Sequence, residues 1–142
     1  MVGSTDSGLK AYIRPHNREM TMFGMERGWG NGYIIIPAKH PAYKLATLQS
    51  KDQQYYYYQP EHFDQEITLT EFEKGGMIIG FDTMHSWNGP HHDKVWVTEQ
   101  TLEMLRLVNA VDNRSMIKQK LYKLEELHHE IGELIKELKK EI

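Results

Sequence analysis

Hydrophobic and polar positions alternate with a period of two over most of the chain up to about Val97. The segments Leu9-Lys10-Ala11-Tyr12-Ile13, Met20 to Met25, Gly32 to Ile36, Tyr55 to Tyr58, Ile67-Thr68-Leu69-Thr70 and Met77 to Phe81 read as short strands. Each is rich in β-branched, aromatic or other large apolar residues and lies between turn formers such as Pro15-His16-Asn17, Gly30-Asn31-Gly32 and Gly75-Gly76. That spacing predicts one mainly antiparallel sheet. Two stretches interrupt it, Ala38 to Gln54 and the turn-rich Met84 to Asp93.

After Val97 the period changes to about 3.6. Thr98 is the expected N-cap of a first helix, 98–112, with Glu99 in its first turn and an apolar stripe of Leu102, Leu105, Val108 and Val111 to cover one face of the sheet. Asp112-Asn113-Arg114-Ser115 reads as a joint, and a second helix spans 116–142. In it Ile117, Leu121, Leu124, His128, Ile131, Ile135, Leu138 and Ile142 recur in alternating steps of four and three, the a/d repeat of a coiled coil, with His128 the one polar member. Leu127 and Leu134 widen the stripe, and Lys and Glu crowd its flanks. Such a helix must bury its seam, either by folding back on its own sheet or against another chain, and the charged flanks favour the second. The expected class is therefore α+β: an N-terminal antiparallel sheet region, 1–97, and a helical region, 98–142, forming one structural domain that associates through its last helix.

Composition narrows the chemistry. The chain has 142 residues, the length of one domain, and no cysteine, which excludes disulfides and thiol catalysis and favours an intracellular setting. The small, polar start from Met1 to Gly8 does not read as a signal peptide, and no apolar run is long enough for a membrane span. A formal net charge of -3 gives no general basic footprint for DNA. No Ser sits in a Gly-x-Ser-x-Gly turn, and scattered His and Asp residues alone do not demand an enzyme.

The loop Met-His-Ser-Trp-Asn-Gly-Pro-His-His-Asp at 84–93 is the first place to look for function, because three histidines, a tryptophan and an amide exceed what chain reversal needs. Asp82, His85, His91, His92 and Asp93 could suit zinc or iron, as in a metal-dependent hydrolase, but they lack a recognised ligand spacing, so neither a metal nor another cofactor is expected. A nucleotide-like ligand needs flat faces, polar edges and cations for phosphate. Phe81, Trp87 and Trp96 can supply faces, Asp82, Asn88 and Asn113 edges, and Arg106 and Arg114 the phosphate contacts, provided the strand end, the loop and the helix joint meet. Each also has a structural role open to it: Phe81 and Trp96 as core, Arg106 as a solvated flank, Arg114 as a helix cap. A coiled-coil adaptor that captures a host protein is a further alternative.

The segments Gly32-Tyr33-Ile34-Ile35-Ile36-Pro37-Ala38-Lys39-His40-Pro41 and Ile79-Gly80-Phe81-Asp82-Thr83-Met84-His85, followed by a loop and a helix, resemble the phage Thoeris anti-defence protein 1 family over about residues 9–142. That resemblance implies a non-catalytic sponge in the host cytoplasm, which assembles through its C-terminal helices and sequesters a cyclic ADP-ribose isomer without cleaving it; other cyclic oligonucleotides are candidate ligands as well. It implies that Phe81 stacks on the ligand, that Asn88 bonds to it, and that Arg106, Asn109 and Arg114 contact it from a neighbouring subunit. The expected binding set is Phe81, Asp82, His85, Trp87, Asn88, Arg106, Asn109 and Arg114.

Overall fold

The computed structural model describes residues 1–17, 27–50 and 58–142. Five strands, β1 (Gly3–Ser4), β2 (Lys10–Pro15), β3 (Gly30–Pro37), β4 (Leu69–Glu73) and β5 (Gly76–Phe81), form one sheet in the order β1-β2-β3-β5-β4, antiparallel at every pairing. Three helices complete the described residues: α1 (Pro41–Ser50), α2 (Lys94–Asn109) and α3 (Asn113–Lys140). The fold is α+β, as the change of period predicts. The expected strand at Met20 to Met25 lies outside the described residues, as does all of Tyr55 to Tyr58 except Tyr58, which is buried but in no strand.

Register explains which side of the sheet is covered. Ala11, Ile34 and Ile79 lie in one cross-strand row, with Ile36 beside Met77 and Gly32 beside Phe81 in the neighbouring rows of the same face. All are buried, and α2 lies over β2 and β3 on this face with Val97, Thr101, Met104, Leu105 and Val108 as its buried residues. This stripe differs from the one expected: Leu102 is partly exposed, and the inward face begins earlier in the chain. The opposite face of the sheet carries Tyr12, Tyr33, Ile35, Leu69 and Ile78.

α2 comes close to the sheet at Gly32, where a Cβ would stand 2.1 Å from Thr101 Oγ1 and 2.5 Å from the Phe81 ring. Only a residue without a side chain lets α2 lie this close to β3. Thr101 turns its hydroxyl back onto the Val97 carbonyl at 2.7 Å, so the polar atom is satisfied inside the contact.

Both long helices begin earlier than the hydrophobic pattern indicates. α2 starts at Lys94, capped by Asp93, whose Oδ1 accepts the Trp96 N–H at 2.9 Å. Thr98 is therefore not the cap; it lies inside the helix and bonds to the Lys94 carbonyl. The run Val95-Trp96-Val97 suggests strand, but helix propensities differ by only tenths of a kcal/mol, and burial of Val97 outweighs them. α3 begins at Asn113 with Asp112 as cap, so the joint is Ala110 to Asp112 rather than Asp112 to Ser115. α1 occupies part of the stretch that reads as an interruption; Pro41 takes its first position, and His40 Nδ1 accepts the Ala42 N–H at 3.0 Å.

α3 has 28 residues, about 42 Å at ~1.5 Å per residue, and none of them is buried. Its first turns lean on the body through half-buried Met116, Gln119 and Lys123, and Lys123 donates to the Leu48 carbonyl of α1. The seam points the other way. Ile117, Leu121, Leu124, Leu127, Ile131, Leu134, Ile135 and Leu138 are each 47–63% exposed, so the helix does not fold back on the sheet.

Replacing Gly32 with Ala should push α2 away from β3. The expected cost is about 1–3 kcal/mol, the range for overpacked sites, read as a lower midpoint in denaturant unfolding followed by circular dichroism. A midpoint at or above wild type would refute the tight packing of this contact.

Candidate functional site

The loop 82–93 leaves the end of β5 and is held by a polar network rather than by regular structure. Asp82 Oδ1 accepts the Met84 N–H at 2.9 Å and lies 3.4 Å from His85 Nε2. Asn88 and His85 clasp each other: the His85 N–H donates to Asn88 Oδ1 at 2.9 Å, and the Asn88 N–H donates to the His85 carbonyl at 3.0 Å. Further along, His92 Nδ1 accepts the Gly89 N–H at 2.9 Å, and the His92 N–H donates to the Gly89 carbonyl.

A second set of bonds ties this loop to the entry of β3. The Gly28 N–H donates to the Thr83 carbonyl, the Trp29 N–H to the His92 carbonyl, and Arg27 Nη1 to the His85 carbonyl at 2.9 Å. Thr83 is buried, and its hydroxyl donates to the Gly30 carbonyl at 2.7 Å. A hydroxyl has one proton to give, so at 3.0 Å from His16 Nε2 it must accept, and the neutral ring carries its proton on Nε2. The loop is thus fixed in place without a strand or helix of its own.

What this framework presents is a pair of stacked rings. The His85 and Trp87 planes lie 2° from parallel with centroids 4.3 Å apart, and Trp87 is 63% exposed. The Asp82 carboxylate stands beside His85 Nε2, and the Arg27 guanidinium meets the His85 backbone. A flat exposed ring, a carboxylate and a guanidinium are the groups that would take a base, ribose hydroxyls and a phosphate.

Phe81 is placed differently from the stacking role that the sequence suggests. It is 1% exposed, with Phe63 edge-on at 5.7 Å and Trp96 edge-on at 6.4 Å, so its ring is part of the core. Asn88 is also buried and spends its amide oxygen on the loop backbone. Among the expected residues, Asp82, His85, Trp87 and Asn88 are brought together; the helical candidates are elsewhere.

Arg106, Asn109 and Arg114 lie near or beyond the far end of α2 from the loop. Its 16 residues separate the two ends by about 24 Å, so the strand end and loop do not meet the joint within one chain. Arg106 is engaged by Glu103 through two bonds, of 2.9 and 2.5 Å, which hold the Glu103 carboxyl below its usual range. Asn109 Oδ1 accepts the Ser7 hydroxyl at 2.8 Å, and Arg114 is exposed in the first turn of α3. Beside the joint is a cleft of about 280 Å³ lined by Leu45, Tyr58, Gln59, Glu61, His62, Leu107, Ala110, Val111, Ser115 and Lys118. Burial, reinforced by Glu61, pushes the Tyr58 hydroxyl up to about 12, so it remains neutral there.

Arg27 and His16 escape a sequence reading because their partners stand 58 and 67 positions away, and no local pattern marks them. Among the described residues, no group of three or more His, Cys, Asp or Glu side chains is arranged to hold a metal ion. No described helix is long and apolar enough to cross a membrane. No family model, curated protein or solved structure matches the chain.

Burial lowers the pKa of His16, His40 and His92, with His16 partly offset by Asp82 and His92 lowered further by His91. The unfolded chain therefore takes up protons first as pH falls. Stability is full above the ordinary histidine value of about 6.5 and declines as pH drops below it towards the folded-state values. Melting temperatures measured between pH 8 and 5 should fall across that window, with a shallower fall in His40→Asn. A melting temperature that stays level or rises towards pH 5 would contradict the neutral assignment.

Truncating Phe81 to Ala should cost about 3–5 kcal/mol, as for a fully buried ring, and the loss should appear in unfolding equilibria with no ligand present. A loss below about 1 kcal/mol would be incompatible with a core position for this ring.

Proposed function

We propose that this protein is a non-catalytic binding protein that assembles through α3 and sequesters a cyclic nucleotide immune signal, a cyclic ADP-ribose isomer, in the cytoplasm of a phage-infected bacterium. The observation that carries the reading is the Trp87 ring, exposed and held flat on His85 at the centre of a loop pinned on both sides. The adenine ring stacks on Trp87, Asp82 accepts ribose hydroxyls, and Arg27 faces a phosphate. The choice of a cyclic ADP-ribose isomer rests on the resemblance of residues 32–41 and 79–85 to the Thoeris anti-defence proteins.

The bare seam of α3 supports assembly on energetic grounds. Fully burying a Leu or Ile contributes about 1.5–3 kcal/mol, so covering side chains already half-buried adds about 1 kcal/mol each. For two seams of eight such side chains this is on the order of 15 kcal/mol, at the top of the roughly 4–15 kcal/mol that association costs. Assembly then multiplies the number of binding loops per particle. The loop site draws all its groups from one chain, so binding and assembly are separable.

Trp87→Ala should lower affinity for a cyclic ADP-ribose isomer about 10- to 100-fold in calorimetric titration, the loss expected for one base-stacking contact, while leaving the melting temperature within a degree or two. Arg106→Ala, towards the other end of α2, should bind as wild type. Ligand released by denaturation should have its original mass. An unchanged affinity in Trp87→Ala, or a processed product in the released fraction, would defeat the reading.

A further inference from the structure

Resting on the reading of α3 as the assembly element, its seam also specifies how two copies meet. With Leu121, His128 and Ile135 at a positions and Ile117, Leu124, Ile131 and Leu138 at d positions, the flanking g row reads Lys120, Leu127, Leu134, Glu141. In coiled coils the e and g residues set partner and orientation. This row is complementary to its own reverse.

We propose that the partner of α3 is a second copy of itself running antiparallel, with the two-fold axis passing between His129 and Glu130. Every g position then meets a fitting one: Lys120 lies beside Glu141 of the second copy, and Leu127 beside Leu134 of the second copy, each twice by symmetry. In the seam itself Leu121 packs on Leu138, Leu124 on Ile135, and His128 on Ile131. All the apolar g residues are covered, and the charged ones close the two ends.

The parallel, in-register alternative uses the same residues less well. It places two His128 rings in one layer and sets Leu127 against Gly132, which has no side chain to offer. Leu134 would lie on Lys139, leaving only Lys120 beside Glu125 as a favourable charged pair. The antiparallel e row has one unfavourable contact, Lys118 with Lys139, and one neutral contact, Glu125 with Gly132. Lys118, however, lines the joint cleft together with Glu61, on the side of its own body.

The body does not obstruct this pairing. Met116, Gln119 and Lys123 lean towards it, whereas Ile117, Leu121 and Leu124 are 63%, 54% and 62% exposed. The seam is thus open from its first turn. Antiparallel overlap places the two sheet bodies at opposite ends of a helix pair and seats the far end of the second α3 beside each joint.

Because the native chain has no cysteine, introduced thiols report orientation cleanly. Leu121→Cys protein and Leu138→Cys protein should each stay unlinked on mild oxidation and form a disulfide-linked dimer when mixed. In low salt, Lys120→Glu should raise the dissociation constant of assembly about five- to tenfold in sedimentation equilibrium, and adding Glu141→Lys should restore it. Self-linking of Leu121→Cys, or rescue by Glu125→Lys in place of Glu141→Lys, would overturn the antiparallel arrangement while leaving self-assembly standing. A wild-type chain that sediments as a monomer at tens of micromolar, or that pairs only with a different protein, would overturn both.

Discussion

The approach of α2 to β3 at Gly32 is the contact on which the rest of the molecule depends. With no side chain at that position, Thr101 and the Phe81 ring fit against the strand, and α2 can pack closely on β2 and β3. Its direction then determines the rest: one end receives the loop 82–93, and the other turns through Ala110 to Asp112 into α3. A helix displaced by even one methyl group would loosen the packing of Phe81 against Phe63 and Trp96 that closes the core beneath the loop.

The same geometry divides the candidate chemistry. Stacking and carboxylate groups gather at the start of α2, whereas Arg106, Asn109 and Arg114 gather at its end, a helix length away. Residues that converge on paper, when the chain is read in order, are held apart by the rigid element between them. Among the described residues, Arg27, delivered by the entry to β3, brings a guanidinium to the loop. The loop is consequently a self-contained feature of one chain, and on the proposed reading α3 contributes valency rather than a wall of the site.

Polar groups do most of the work of shaping that loop. Asn88 and His92 accept the His85 and Gly89 amides within the loop, and Thr83 donates to the Gly30 carbonyl of β3, so these backbone groups are satisfied without a helix or a further strand. His16, His40 and His92 serve as neutral structural acceptors or donors in the same way. Their shared depression by burial links the stability of the fold to mild acid.

The strands β2, β3 and β5, a turn just before β5, and the unbroken seam of α3 are legible in the chain because they depend on neighbours two to four positions apart, whereas β1 and α1 carry no such pattern. It also marked the 84–93 loop through its unusual composition. The helices start earlier than the hydrophobic period indicates because Asp93 and Asp112 cap them through specific side-chain bonds that such a period does not register. Long-range packing places Phe81 in the core, leaves Trp87 exposed, and brings Arg27, rather than Arg106 or Arg114, beside the loop. Those outcomes follow from which residues distant in sequence compete for the same buried volume, and the energy of that competition has no local trace in the chain.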